Sequence, residues 1–253
     1  MPRFSVIIPT LNEERNIEDA VNSVRRSCDQ FRCEIIVADG GSSDNTRNHS
    51  SRLRTKVVSC PRGRAKQMNT GARHAKGDIL LFLHADSRLP PDFQNLIEEA
   101  LTKTTGNCRN NNIRNRSNGI TNNNTNSPQW GCFRSIDIQG NPIRQWLLKH
   151  TVAFRTLVFN LPYGDQCIFI TNHTFKQIGG FSDNLPLLED IDMVERLKIS
   201  VGRPAIVMCD LPTSERRWKK LGLIRTTLIN QGILLGRKLG IAPETLARWY
   251  YKS

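Results

Sequence analysis

The first hundred residues change hydrophobic period in a regular order, and that order leaves few folds open. Phe4–Ile8 is a short apolar run rich in β-branched residues, closed by Pro9. Apolar residues then recur at helical spacing between Glu14 and about Ser27, at Ile17, Ala20, Val21 and Val24. Cys33–Ala38 is a second strand of the fully buried kind, ended by Asp39-Gly40-Gly41. A polar helix (about Ser43–Leu53), a strand (Lys56–Ser59) and a helix (about Arg64–Ala75) follow. Ile79–Leu83 is a fourth strand, and Pro91 opens a helix running to about Lys103. Strand and helix in this alternation predict a parallel, doubly wound α/β sheet.

The pattern breaks at residues 107–127, where ten of the 21 residues are Asn and none is acidic. With almost nothing to bury, that stretch is expected to be a disordered low-complexity insertion. Beyond it, Trp130–Ile138, Cys167–Ile170 and Ala205–Met208 predict strands. Ile143–Phe159, Thr174–Ile178 and Glu189–Leu197 predict helices, with a Gly179-Gly180-Phe181 turn between the last two. Leu221, Ile224, Leu228, Leu235 and Leu239 form an apolar stripe on a long helix, and Pro243 opens the final one. With 253 residues, 38% of them hydrophobic, and neither repeat nor linker, one domain over 1–253 is expected.

No apolar run reaches the ~18 residues of a membrane span. Met1–Ser5 leads straight into a strand, which reads as no secretory signal, so four N-x-S/T triplets carry little weight. Seven scattered cysteines without a C-x-x-C pair argue against a disulfide framework or a zinc knuckle and for a reduced, cytoplasmic setting. Net charge is +13, and residues 214–253 hold nine basic against two acidic side chains. That basic helical C-terminal segment is either a patch for an anionic partner or a solvated helix face.

In an open parallel sheet, ligands sit beyond the carboxyl ends of the strands. The four predicted strand ends carry Pro9-Thr10-Leu11-Asn12-Glu13-Glu14, Asp39-Gly40-Gly41-Ser42-Ser43-Asp44, Pro61-Arg62-Gly63-Arg64-Ala65-Lys66 and His84-Ala85-Asp86. Carboxylates and cations on one edge suit a nucleotide diphosphate with a metal. Taken singly, Asn12 and Ser43 read as helix N-caps and Arg64 as surface charge. The chain has no G-x-G-x-x-G after the first strand, no P-loop, no H-E-x-x-H and no G-x-S-x-G.

Ser5-Val-Ile-Ile-Pro-Thr-Leu-Asn-Glu13 and Ile36-Val-Ala-Asp-Gly-Gly-Ser-Ser-Asp-Asn-Thr46 resemble the opening of the family-two glycosyltransferases of the GT-A fold. The likeness continues through Asn69-Thr-Gly-Ala72, Ala75-Lys-Gly-Asp78, Leu80-Leu-Phe-Leu-His-Ala-Asp86, Gly179-Gly-Phe181 and Leu188-Glu-Asp-Ile-Asp192. Arg64-Ala-Lys-Gln-Met-Asn69 with Tyr163-Gly-Asp-Gln166 also resembles a bacterial subgroup known mainly from genome context. The resemblance implies a single-domain, Rossmann-like, mostly parallel sheet and an inverting transferase using a nucleotide-diphosphate sugar, a UDP-sugar in the first instance. It implies that Pro9, Thr10 and Glu13 line the nucleotide pocket, that Asp39 bonds the base, and that Arg64 or Lys66 faces the diphosphate. Asp86 would hold a divalent cation, Mn²⁺ or Mg²⁺. Asp190 of the Glu189-Asp190 pair would be the catalytic base that deprotonates the acceptor hydroxyl. The competing reading of that acidic cluster is negative charge at a helix N-terminus.

Two departures bear on this. His84 stands where the family's D-x-D metal motif has its first carboxylate, and imidazole suits Mn²⁺ better than Mg²⁺. Ser214-Glu-Arg-Arg-Trp218 resembles the Q-x-x-R-W motif of processive members with Ser for Gln, so Arg217 and Trp218 are acceptor-site candidates. Rival readings are a sugar-nucleotidyltransferase, a non-catalytic nucleotide-sugar-binding protein and a basic nucleic-acid binder; 7% aromatics without a stacking motif speak against the last. The C-terminal stripe with Arg216, Arg217, Lys219 and Lys220 fits either a core helix or one lying on an anionic membrane, with a lipid-linked acceptor and an inner-face location.

Overall fold

The computed structural model describes residues 3–28, 32–102, 127–138, 142–214 and 223–252. Residues 107–126 of the Asn-rich stretch, and Arg217, Trp218 and Leu221, lie outside them. Seven strands form one sheet: β1 (Phe4–Thr10), β2 (Cys33–Asp39), β3 (Lys56–Ser59), β4 (Ile79–Phe82), β5 (Trp130–Ile138), β6 (Ile168–Thr171) and β7 (Ala205–Thr213). The helices are α1 (Ile17–Ser27), α2 (Thr46–Arg52), α3 (Arg64–Arg73), α4 (Phe93–Thr102), α5 (Pro142–Phe159), α6 (Asn172–Gln177), α7 (Glu189–Ser200), α8 (Leu223–Lys238) and α9 (Pro243–Lys252).

The strand order is β3-β2-β1-β4-β6-β5-β7. Every neighbouring pair is parallel except the two made by β6, which runs antiparallel to β4 and β5. The sheet is thus the mostly parallel one expected, in a single domain. Strand alternation divides the core. Phe4, Val6 and Ile8 of β1 join Ile79 and Leu81 of β4 under α1 and α4. Ile7, Leu80 and Phe82 face the other way, against Met68 of α3, Phe175 of α6 and Val194 of α7. All four central strands are buried on both faces, which is why they read as continuous apolar runs.

The Gly179-Gly180-Phe181 turn has a packing reason. Asn69 Nδ2 donates to the Phe181 carbonyl at 2.8 Å, and the Phe181 N–H donates to Asn69 Oδ1 at 2.9 Å. Gly180 sits at φ +72°, and a Cβ there would lie 2.7 Å from Asn69 Oδ1. Only glycine fits that backbone and that contact.

Two expectations are corrected. Cys28 and Cys33 form a disulfide; they flank the short α1–β2 connection, which brings their Cα atoms to 6.0 Å. Neither α1 nor α2 has a side-chain N-cap bond. Asn12 instead clamps the neighbouring loop, its Oδ1 accepting from the Ser43 N–H at 2.8 Å while its own N–H donates to Ser42 Oγ at 2.9 Å. Of the two readings of the C-terminal stripe, its described residues do not bear out the core helix: Leu228, Leu235 and Leu239 are 66, 58 and 71% exposed. Helix α8 packs through Ile233, with Ile229 beside it, on Leu187 and on Leu246 of α9. Polar Thr226 and Asn230 share that inward side because they line a cavity, so the inward face is not the most apolar one.

Candidate active site

The carboxyl ends of β1 and β4 open on a cavity of about 570 Å³. Pro9, Thr10 and Glu13 line it from the β1 loop, Arg62 and Arg64 from the start of α3, and Asp86 from beyond β4. A second cavity, about 300 Å³, adjoins it and is lined by Tyr163, Asp165, Asp190, Thr213 and Ser214, with Thr226 and Asn230 of α8. Arg64, His84, Asp86, Leu187, Glu189 and Tyr250 border both. The two cavities therefore meet at a cation, an imidazole and two carboxylates.

The loops of the first cavity are held by their own polar groups. Asp39 is fully buried and accepts four bonds: Oδ2 from the Gly41 and Ser42 N–H groups at 3.1 Å, Oδ1 from Ser42 Oγ and, at 3.4 Å, Thr10 Oγ1. It lines neither cavity, so contact with a base requires a hydroxyl to leave it and the loop around it to open. Asp44 accepts from the Glu14 and Thr46 N–H groups, and despite partial desolvation those bonds hold its carboxyl below the usual range. Gln67 Nε2 donates to the Thr10 and Ala38 carbonyls at 2.6 and 3.1 Å, tying the ends of β1 and β2 together. Lys66 is exposed and lines neither cavity. Arg62 takes the place it was given.

At the junction, Glu189 is 4% exposed and Arg64 Nη1 lies 3.3 Å from its Oε1. Burial, reinforced by neighbouring Asp190, pushes the Glu189 carboxyl up, and Arg64 opposes the shift. Asp190 takes a 2.7 Å bond on Oδ2 from the Gly164 N–H, and its Oδ1 accepts from the Ile191 N–H at 2.8 Å. Leu188, at φ +65°, turns the chain so that both carboxylates point inward. Asp192 is spent structurally, on Ser182 Oγ and Arg196. The acidic start of α7 is therefore more than a complement to its dipole.

His84 is held neutral, its imidazole driven down to about 3 by burial and then by the Arg64 charge. Its Nε2 is shut off from solvent and has no hydrogen-bond partner among the described residues; the same holds for Asp165 Oδ1. Burial pushes the Asp165 carboxyl up, Arg155 opposes this, and the Asp190 and Asp86 charges add to it. Arg155 lies 3.4 Å over the Tyr163 ring and donates to Gln166 Oε1 at 2.8 Å, fixing the 163–166 segment from α5.

Among the described residues, no three His, Cys, Asp or Glu side chains converge as a closed metal site. His84 and Asp86 both border the two cavities, and the partnerless His84 Nε2 with the Asp86 carboxylate is the donor pair a cation there would use. Such a set fits a divalent cation that completes its shell with phosphate oxygens.

The sequence pointed to Pro9, Thr10, Glu13, Arg64, Asp86, Glu189 and Asp190, and these surround the two cavities. It missed Arg62, Asp165, Thr226, Asn230 and Tyr250. The Tyr163-Gly-Asp-Gln166 motif carried a signal for Asp165; nothing local marks the residues of α8 and α9.

The family model described as glycosyl transferase family 2 matches residues 5–175. Over 105 residues the chain is 30% identical to the dolichol-phosphate mannosyltransferase of Pyrococcus furiosus, covering 39% of this chain and 30% of that protein. The chain spans 30–40% of the length of the curated relatives it matches. Among solved structures, S. aureus TarS 1-349 in complex with UDP superposes with a TM-score of 0.61 at 17% identity, over 85% of this chain and 60% of that one. Glucosyl-3-phosphoglycerate synthase from Mycobacterium tuberculosis, in complex with Mn²⁺, UDP and glucosyl-3-phosphoglycerate, gives 0.58 at 20% identity, over 95% and 81%. These likenesses support the GT-A fold, and the matching family model is that of a glycosyltransferase family. The chain belongs to glycosyl transferase family 2.

Proposed function

We propose that this protein is an inverting glycosyltransferase that moves a sugar from a UDP-sugar to a hydroxyl of a lipid-linked or membrane-surface acceptor. The observation that carries the reading is the junction of two cavities at Arg64, His84, Asp86 and Glu189. The larger cavity would take the nucleotide: Pro9, Thr10 and Glu13 beside the nucleoside, Asp39 at the base after releasing a hydroxyl, Arg62 and Arg64 at the diphosphate. Asp86 with His84 would hold a divalent cation, Mn²⁺ before Mg²⁺, which when bound would neutralise charge on the departing diphosphate.

The sugar then lies at the junction, with the acceptor reaching it from the second cavity. Asp190 takes the acceptor hydroxyl proton as that oxygen bonds the anomeric carbon. The carbon–oxygen bond to the β-phosphate breaks on the opposite face, and its electron pair leaves with UDP. Attack opposite the leaving group inverts the configuration. Glu189 orients Arg64, whose charge meets the one that develops on the leaving group.

Relatives such as the dolichol-phosphate mannosyltransferase motivate the lipid-linked acceptor. No described helix is long and apolar enough to cross a membrane. A peripheral place at a membrane surface is the location proposed. Asp190→Asn tests the assignment: kcat should fall by roughly 10²–10⁴, with UDP affinity nearly unchanged. Transfer at the wild-type rate would show that another group is the base.

A further inference from the structure

Helix α5 is apolar on two opposite sides. Its inner side sets Leu148 and Val152 against Ile136 and Ile138 of β5. Its outer side carries Ile143, Trp146, Leu147, Phe154, Leu157 and Val158, which are 76, 60, 43, 60, 44 and 53% exposed. At about 100° per residue these six fall within a stripe ~120° wide running the length of the helix. The usual rule turns the most apolar stripe toward the core; here the less apolar side does that, and no described residue covers the other. A monomer seldom leaves a row of this size in water without a use for it.

The surroundings of the row decide what it meets. No acidic residue occurs between Asp137 and Asp165, whereas Arg144 and Lys149 lie on the helix; Arg155, its third cation, is turned inward onto Tyr163. Arg134 and Lys149 share a single carboxylate, Asp210. At the far end, Lys198 Nζ donates to the Phe159 carbonyl at 2.9 Å, and the next residue, Ile199, is 86% exposed. Trp146 stacks on His150 with ring centroids 4.5 Å apart, an amphipathic pair suited to headgroup depth. A twofold contact with a second copy would oppose two helices that carry basic residues and no acid of their own. The Asn-rich stretch 107–126 makes a poor cover, with Ile113 and Ile120 its only large apolar side chains.

We propose that the outer face of α5 is the surface by which this enzyme lies on an anionic phospholipid bilayer. The inference rests on the membrane-surface acceptor reading and names its contact. Eighteen residues span ~27 Å, but with one side committed to β5 the helix lies in the interface plane. The same helix carries Arg155, which fixes the 163–166 segment of the second cavity, so the bilayer and the acceptor side share one element.

The test uses the full chain and vesicles of phosphatidylcholine with and without phosphatidylglycerol. The wild type should float with the anionic vesicles at low salt and be largely released at ~0.5 M salt. Trp146→Ser/Phe154→Ser should lower the partition coefficient about tenfold or more, with little change in Tm because both side chains are exposed. Leu228→Ser/Leu235→Ser on α8 should still float. Bromolipid quenching, taken as the difference between wild type and Trp146→Phe, gives the same answer with the apolar row largely intact. A double α5 variant that floats like wild type, or a Trp146 that escapes quenching, would overturn the assignment to α5. A wild type that never floats overturns the bilayer as occupant, and a dimer dissolved by the α5 variant would make the occupant a second copy. UDP-induced thermal stabilisation, measured alongside, reports on the donor site alone and separates its failure from this one.

Discussion

Gly164→Ala is a small change at the tightest point of the site. A Cβ there would lie 3.1 Å from Asp190 Oδ2 and 3.3 Å from His84 Nε2, closer than ordinary carbon contacts. The Gly164 N–H also gives Asp190 a 2.7 Å bond, so the methyl group pushes away the carboxylate that the backbone holds. Relief requires a shift of a few tenths of an ångström at Asp190. A displacement of ~1 Å can cost about 100-fold in rate, so roughly tenfold in kcat is expected. Overpacking of ~1 kcal/mol is partly offset by the ~0.4–1 kcal/mol that alanine gains by restricting the unfolded chain. Tm should therefore move little. Of the groups assigned to the donor, only His84, a ligand of the proposed cation, is among the atoms nearest the methyl group, so UDP affinity measured without a divalent cation should stay within about twofold. Calorimetry with UDP and a UDP-release assay on the same preparation separate the two quantities. Full activity would show that Asp190 need not be held where it is, and loss of UDP binding with activity would place the donor against Gly164.

Asp86→Ala should weaken UDP much more than uridine, since the cation it would hold acts on the phosphates. Asp39→Ala should weaken both alike and also lower stability by ~3 kcal/mol, because four buried or half-buried donors lose their acceptor; equal ligand responses in the two variants would erase the distinction. His84 gives a pH dependence of definite sign: its folded-state value of about 3 lies below the ordinary 6.5, so between these the unfolded chain takes up a proton that the folded one refuses. Stability should fall as pH drops through that window, by at most about 2 kcal/mol between pH ~6.5 and ~5 from this residue, and His84→Gln should remove that part. Urea midpoints that shift equally with pH in both proteins would contradict it.

The fold was legible because its central strands are buried on both faces. Val6-Ile7-Ile8 and Ile79–Leu83 are continuous apolar runs, and the helices between them keep their own period. The donor side was legible for a related reason: each loop follows its strand directly, so Pro9, Glu13 and Asp86 stand near one another through topology alone. Lys66 and Arg62 illustrate the limit, since which of two cations turns inward depends on the first turn of α3. Thr226, Asn230 and Tyr250 reach the site from the chain's far end, on faces that periodicity ranks as solvent. The stripes on α5 and α8 were found by period, but their direction was not, because a second face of each helix meets the domain. The Cys28–Cys33 pair depends on a loop closure that cysteine spacing alone did not suggest.

Transfer with inversion from a nucleotide sugar can be followed at the anomeric carbon itself. Wild-type protein and Asp190→Asn are incubated with a panel of UDP- and GDP-sugars, Mn²⁺ and a membrane-lipid extract, and the anomeric protons are followed by NMR. Wild type should consume one UDP-sugar, release UDP and form a product anomeric signal of opposite configuration to the donor, while Asp190→Asn leaves the donor intact. A product of retained configuration, equal consumption by the two proteins, or no donor consumed by wild type would contradict it.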